Sequence, residues 1–126
     1  MRPPLSLVVV ALLATGCARQ EREALDPAKV ERGRALFTSC EACHTLRKRE
    51  NRIGPHLVRI VGRAAGEARR YAYSPALEAT DLAWTPENLR RYLQAPQAFM
   101  PGTNMAIAGY SPADAESLVE FLRSKQ

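Results

Sequence analysis

Five consecutive residues, Cys40-Glu41-Ala42-Cys43-His44, constrain this chain more than any other stretch. C-x-x-C-H reads as a covalent haem c attachment site. Its two thiols add across the haem vinyl groups as thioethers, and the adjacent histidine takes the proximal face of the iron. Three rival readings compete: a redox dithiol, half of a zinc site, and a chance match. A thioredoxin-like dithiol needs a βαβ context, which the sequence lacks. A structural zinc site needs four ligands, yet no second cysteine pair exists, and His56, the other histidine, stands alone.

The N-terminus carries an address. Arg2 precedes an apolar run from Leu5 to Ala14. About ten residues suit a secretory signal and are too few to span a bilayer. Residues 1–16 are therefore assigned to a signal peptide of lipoprotein type. Leu13-Ala14-Thr15-Gly16-Cys17 resembles a bacterial lipobox, in which the cysteine is lipidated and becomes the mature N-terminus. Ala14 departs from that motif, which prefers leucine there. Ala14-Thr15-Gly16 also suits an ordinary signal peptidase, but that cut leaves a free thiol on an exported protein. We expect Cys17 to carry a lipid anchor of more than one acyl chain, as stable attachment requires. Residues 17–27 then comprise the lipidated cysteine and a short charged linker, and residues 28–126 the haem domain. The nine linker residues 18–26 reach at most roughly 30 Å, which holds the domain near its membrane on the periplasmic side.

Eighteen basic residues stand against thirteen acidic ones, a formal net charge of +5. Loss of residues 1–16 removes only Arg2, leaving +4 before haem. The cations are scattered: Arg32 and Arg34, Arg47 to Arg49, Arg52, Arg69 and Arg70, Arg90 and Arg91. Most fit a solvated surface that offsets two haem propionates. As a set they would also steer the domain toward an acidic docking face. An exported haem domain is not expected to meet nucleic acid, and nothing in the pattern calls for a small-molecule substrate.

Four helix starts punctuate the rest. Asp26-Pro27, Ser74-Pro75, Thr85-Pro86 and Ser111-Pro112 each place a capping side chain before a proline at the first helical position. The last extends to Asp114 as a capping box. Ala115, Leu118, Val119 and Leu122 then recur at helical spacing, as do Val30, Gly33 and Phe37. Gly33 costs helix stability, so another helix is expected to approach it closely, through Leu118 and Phe121. Gly54-Pro55, Pro96, Pro101-Gly102 and Gly109 mark loops, and no run alternates as a strand would. The reading is all-α. Helices this short are marginal without tertiary packing, so the haem is expected to form part of the core.

The second axial position on the iron decides function. Met105 is the leading candidate and Met100 the competitor, within Met100-Pro101-Gly102-Thr103-Asn104-Met105. Pro101-Gly102 should make a loop that throws the later side chain inward, although both methionines would also serve as core filler. A soft thioether favours ferrous iron and suits electron transfer.

Over residues 28–126 the chain resembles a class I cytochrome c of the mitochondrial and bacterial c2 type. The pieces occur in family order. Gly33, Phe37 and the haem motif come first, then Gly54-Pro55-His56-Leu57, Gly62-Arg63 and Tyr71-Ala72-Tyr73-Ser74. Trp84-Thr85-Pro86-Glu87-Asn88-Leu89, Tyr92-Leu93, Pro96, the Met100–Met105 loop and Leu118, Phe121 and Leu122 complete the series. The resemblance implies short helices wrapped around one haem c, with Met105 as distal ligand opposite His44. It implies that the Pro55 carbonyl receives the imidazole N–H. It places Arg63, Tyr73, Ser74 and Trp84 near the propionates, Tyr92 beside the Met105 sulfur, and Thr103 at a propionate or loop hydrogen bond. His56 has no family role and is expected in solvent. Gln97, Ala98 and Asn104 replace lysines of the mitochondrial docking face, and Leu77 a polar residue, so that form's partner does not carry over.

The resulting expectation is a single-haem, one-electron carrier rather than an enzyme. Its partners would be membrane-borne: a quinol-oxidising complex, a terminal oxidase or a photosynthetic reaction centre. The alternative is a dedicated subunit of an exported enzyme that oxidises sulfur compounds or alcohols. A ligand sensor or peroxidase would need an open iron position, and Met105 counts against it.

Overall fold

The structure is a computed structural model that describes residues 23–126; Cys17 and the signal segment lie outside the described residues. Five α-helices occur: α1 (Pro27–Phe37), α2 (Pro75–Glu78), α3 (Pro86–Gln94), α4 (Pro96–Phe99) and α5 (Pro112–Arg123). A 3-10 turn, Cys40–Ala42, follows α1. Among the described residues the one β element is an isolated antiparallel bridge between Ala64 and Ala83.

All five helices begin with proline, and four have the side-chain cap that the sequence calls for. Asp26 accepts from Ala28 N and Lys29 N, Ser74 from Leu77 N, Thr85 from Asn88 N, and Ser111 from Asp114 N. Pro96 departs from expectation, since it opens the one-turn helix α4 rather than a loop. A proline at the first turn needs no cap to set its φ, so one turn forms after Ala95 without a side-chain acceptor. The capping box of α5 is only half formed. Asp114 turns away from Ser111 and takes Arg32 Nε and Nη2 at 3.0 and 2.9 Å, linking α5 to α1.

The α1–α5 crossing organises the molecule. A Cβ on Gly33 would lie 2.0 Å from the Ser117 carbonyl oxygen and 2.7 Å from Phe121 Cβ. The close approach is therefore to Ser117 and Phe121; Leu118, one residue on, faces the cavity described below. Phe37 and Phe121 pack with ring centroids 5.3 Å apart. Helix α3 rests on α5 through Leu89 and Leu93, with Arg90 paired to Glu116 at 3.3 Å. At the end of α5, buried Glu120 accepts from Asp26 N at 3.2 Å and pairs with Arg123, whose Nη2 donates to the Glu23 carbonyl at 2.8 Å. Residues 23–27, assigned to the linker by sequence, are thus tied to the domain.

Between the 3-10 turn and α2 the chain runs some thirty residues without a helix. Irregular segments of that length are uncommon in compact domains and signal a function. Their backbone groups still need partners. Gly54 N donates to Cys43 O at 2.9 Å, and Leu57 N to Thr45 O at 2.7 Å. Gly62 N and Trp84 O, and Trp84 N and Arg63 O, pair at 2.8 Å each.

Candidate functional site

The irregular segment, α3, α5 and the Met100–Tyr110 loop enclose a cavity of about 670 Å³, within the range of small-molecule and cofactor sites. Every site residue of the haem domain expected from the sequence lines it: Cys40, Cys43, His44, Pro55, Arg63, Tyr73, Ser74, Trp84, Tyr92, Thr103 and Met105. Much of the remaining lining is apolar, including Phe37, Leu57, Ile60, Leu77, Leu89, Leu93, Leu118 and Leu122.

The tight turn at the motif explains how one pentapeptide presents three groups to the same space. Cys43 N and His44 N both donate to Cys40 O, at 3.0 and 2.9 Å. Cys40 and Cys43 are not joined by a disulfide, so both sulfurs are available for thioether bonds. Burial pushes the Cys40 pKa up, with the Tyr110 hydroxyl at 4.0 Å and Ser39 partly opposing it. Tyr110 also bonds Ser39 Oγ at 3.1 Å. Sequence reasoning missed this tyrosine; its position directly before the Ser111 cap was the available signal.

His44 is held from two sides. Its Nδ1–H donates to the Pro55 carbonyl at 2.7 Å. Gly54 leaves room for the ring, since a Cβ there would lie 2.3 Å from Cε1, 2.7 Å from Nδ1 and 2.9 Å from Nε2. Burial pulls the His44 pKa down, with the Pro55 bond partly opposing it. A neutral imidazole with Nδ1 engaged leaves the Nε2 lone pair for a metal.

The methionines part company. Met105 is half-buried and lines the cavity, whereas Met100 is buried in the core cluster with Leu89, Leu93 and Val119. A short relay positions the Met105 loop. Tyr92 Oη and Thr103 Oγ1 lie 2.6 Å apart, Met105 N donates to Thr103 Oγ1 at 3.3 Å, and Gln97 Nε2 donates to Thr103 O at 2.8 Å. Thr103 thus makes a loop bond. Burial pushes the Tyr92 pKa up, so its hydroxyl keeps its proton for this bond. Trp84 packs on Tyr92 at 4.9 Å between centroids.

Arg63 carries the clearest mark of a missing counterpart. Its Nη1 donates to Val58 O at 2.9 Å and its Nη2 to His56 O at 2.8 Å, while Nε is buried with no partner. A buried guanidinium N–H without an acceptor is costly, and a propionate oxygen would satisfy it. Tyr73 Oη accepts from Ala68 N at 3.0 Å and can still donate. Ser74 Oγ accepts from Leu77 N at 3.3 Å to cap α2, which leaves its O–H able to donate into the cavity it lines.

His56 corrects an expectation. It is 8% exposed rather than in solvent. Arg63 reaches back to it, with Nη1 3.2 Å from Nδ1. Because the guanidinium only donates, Nδ1 accepts and the imidazole is neutral with its proton on Nε2. Burial, then Arg63 and Arg49, hold its pKa down.

A cavity with two thiols at its rim, an imidazole, a thioether and an orphaned guanidinium N–H fits a haem. Neither rival chemistry finds its scaffold. No three His, Cys, Asp or Glu side chains converge on a common point among the described residues. The fold and the site together define a monohaem c-type electron carrier. The cytochrome c family model matches residues 30–126. Cytochrome c2 of Agrobacterium tumefaciens is 41% identical over 98 residues, covering 74% of this chain and 88% of that protein. Cytochrome c-550 of Nitrobacter winogradskyi is 42% identical over 81 residues, covering 64% and 74%. The solved structure of cytochrome cH from Methylobacterium extorquens superposes with a TM-score of 0.70 at 35% identity, covering 75% of this chain and 97% of that one.

The chain belongs to the cytochrome c family, with the all-α class I fold. It carries one haem c, attached through Cys40 and Cys43, and exchanges electrons with redox proteins. When bound, the haem supplies the one-electron chemistry by alternating between ferrous and ferric iron. The residues that would hold it are the two motif cysteines, His44 with its ring bonded to the Pro55 carbonyl, and the apolar side chains that line the cavity.

Proposed function

We propose that the protein shuttles single electrons between membrane-borne redox partners, with its iron held between His44 and Met105. The observation that carries the axial assignment is the separation of the two methionines. Met105 borders the cavity that His44 enters, while Met100 is occupied in the helical core. Two filled axial positions leave no open site, which favours transfer over catalysis. Arg63 and Tyr73 receive propionate oxygens, and Thr103 with Tyr92 keeps the Met105 loop in place.

The carrier reading is favoured over a permanent subunit by the surface. Leu25 and Ile53 are the large apolar side chains exposed among the described residues, and of the two only Ile53 borders the cavity. A permanent interface would need a contiguous apolar patch. Partners meet the rim at Ile53, Ala106 and Ala108, and the scattered arginines orient them. A quinol-oxidising complex, a terminal oxidase or a photosynthetic reaction centre fits a carrier tethered through Cys17 on the periplasmic side. No helix among the described residues is long and apolar enough to cross a membrane.

Met105→Ala tests the core of this reading. The purified holoprotein loses its sulfur-to-iron charge-transfer band, binds CO in the ferrous form, and has a lower midpoint potential. An unchanged band and potential would show that another residue is the ligand. Cys17→Ser moves the protein from the membrane to the soluble fraction; a parent protein already soluble refutes the anchor.

A further inference from the structure

Beside the haem cavity lies a second one of about 840 Å³ with opposite chemistry. Five arginines line it: Arg49, Arg59, Arg63, Arg69 and Arg70, with the buried His56 and a single carboxylate, Glu67. Arg63 is the one residue common to the two cavities, so this cleft shares none of the apolar lining around His44.

Three features set these arginines apart. First, of the described arginines outside the cleft, Arg32, Arg34, Arg52, Arg90 and Arg123 sit within 4 Å of a carboxylate and Arg91 lies over the Phe99 ring, while Arg47 makes neither contact. None of the five around the cleft has a carboxylate that close among the described residues. Second, Arg59 and Arg70 are the described non-glycine residues with positive φ, at 51° and 60°, and both line this cleft. A side chain with a Cβ is disfavoured there, and glycine would relieve it. Third, the cations act together on His56. After burial, Arg63 and then Arg49 hold the His56 pKa down, with Glu67 opposing them. Unpaired like charges on strained backbone are unfavourable alone and become favourable around a counter-ion. The guanidinium fork engages phosphate oxygens two at a time, which an ammonium does not. The recess is concave, so it suits a compact ligand better than a flat protein face.

We propose that this cleft binds a small anion bearing two linked phosphate groups, gripped by Arg49, Arg59, Arg69 and Arg70. The site is independent of the axial assignment and of the identity of the redox partners.

The test is calorimetric titration of the full-length holoprotein with inorganic pyrophosphate at low ionic strength. Arg59→Gly combined with Arg70→Gly removes two contacts and frees both strained positions. Affinity falls about tenfold or more, while the thermal midpoint holds or rises. Arg32→Ala combined with Arg34→Ala removes the same charge from α1 and leaves affinity within about twofold. Arg49→Gln, at a position with no positive φ, lowers affinity in the same direction and serves if the glycine pair does not fold. Inorganic phosphate binds about tenfold or more weakly than pyrophosphate. Absence of binding by the parent protein, equal weakening by the α1 pair, or undiminished affinity in the cleft variants would overturn the site. Equal affinity for the two anions would overturn the diphosphate assignment.

Discussion

Replacing Gly54 with alanine isolates the mounting of the proximal imidazole. The φ of Gly54 is not among the positive ones, so backbone strain is not at issue and only contact matters. The added methyl would sit 2.3 Å from His44 Cε1, where ordinary contact begins near 3.4 Å. Relief requires a movement of about 1 Å, and the ring edge with both nitrogens faces the intruder. The ring cannot yield freely, because Nδ1 is bonded to the Pro55 carbonyl at 2.7 Å, and a shift of that size breaks the bond. Losing it costs about 1 kcal/mol, and overpacking adds about 1–3 kcal/mol. Together these remove a large fraction of the roughly 5–15 kcal/mol that stabilises a domain of this size. The lost bond also makes the imidazole a weaker donor, which disfavours ferric iron and raises the midpoint potential. Urea unfolding of the holoprotein followed at the haem band, with potentiometry on the same sample, reads both effects. Parental values in both measurements would refute the reasoning.

Gly33→Ala sets a propensity gain of about 1 kcal/mol against a clash 2.0 Å from the Ser117 carbonyl; backbone wins, and the urea midpoint drops. A rise would show that α1 and α5 separate at little cost. Met100→Ala loses about 2–5 kcal/mol as a core truncation with an unchanged ferric spectrum; loss of the sulfur band instead would make Met100 the ligand. His56 supplies a pH dependence. Its folded pKa is held below the ordinary value, so above about pH 6.5 both states are neutral and it contributes no slope. As pH falls below that, the unfolded chain takes the proton first and stability is lost. His56→Gln flattens part of that decline in urea unfolding, and an undiminished slope would eliminate the histidine as its source.

Local chemistry was legible and long-range chemistry was not. A cap and the proline after it act within three or four residues, so the starts of α1, α2, α3 and α5 could be read directly. The haem motif is legible for the same reason, since its turn closes between Cys40 and His44. His56 escaped because its burial depends on Arg63 folding back seven residues later. Asp114 looked like a capping residue, yet an arginine 82 positions away outcompetes the local bond. Of the two partners expected for Gly33, Phe121 is in place and Leu118 is off by one residue, for a related reason. Periodicity identifies a helix face, whereas the contact is a carbonyl, and every residue has one.

The clamp joining Asp26 and Glu23 to Glu120 and Arg123 brings the entry and the exit of the domain to one pole. Chain joined directly to residue 23 therefore leaves beside the end of α5, and a short peptide linking residue 23 to residue 126 would serve for circular permutation of the described domain. Tension applied through the leading segment enters the α1–α5 seam first, so it loads packed helices before it reaches the loop that carries the imidazole.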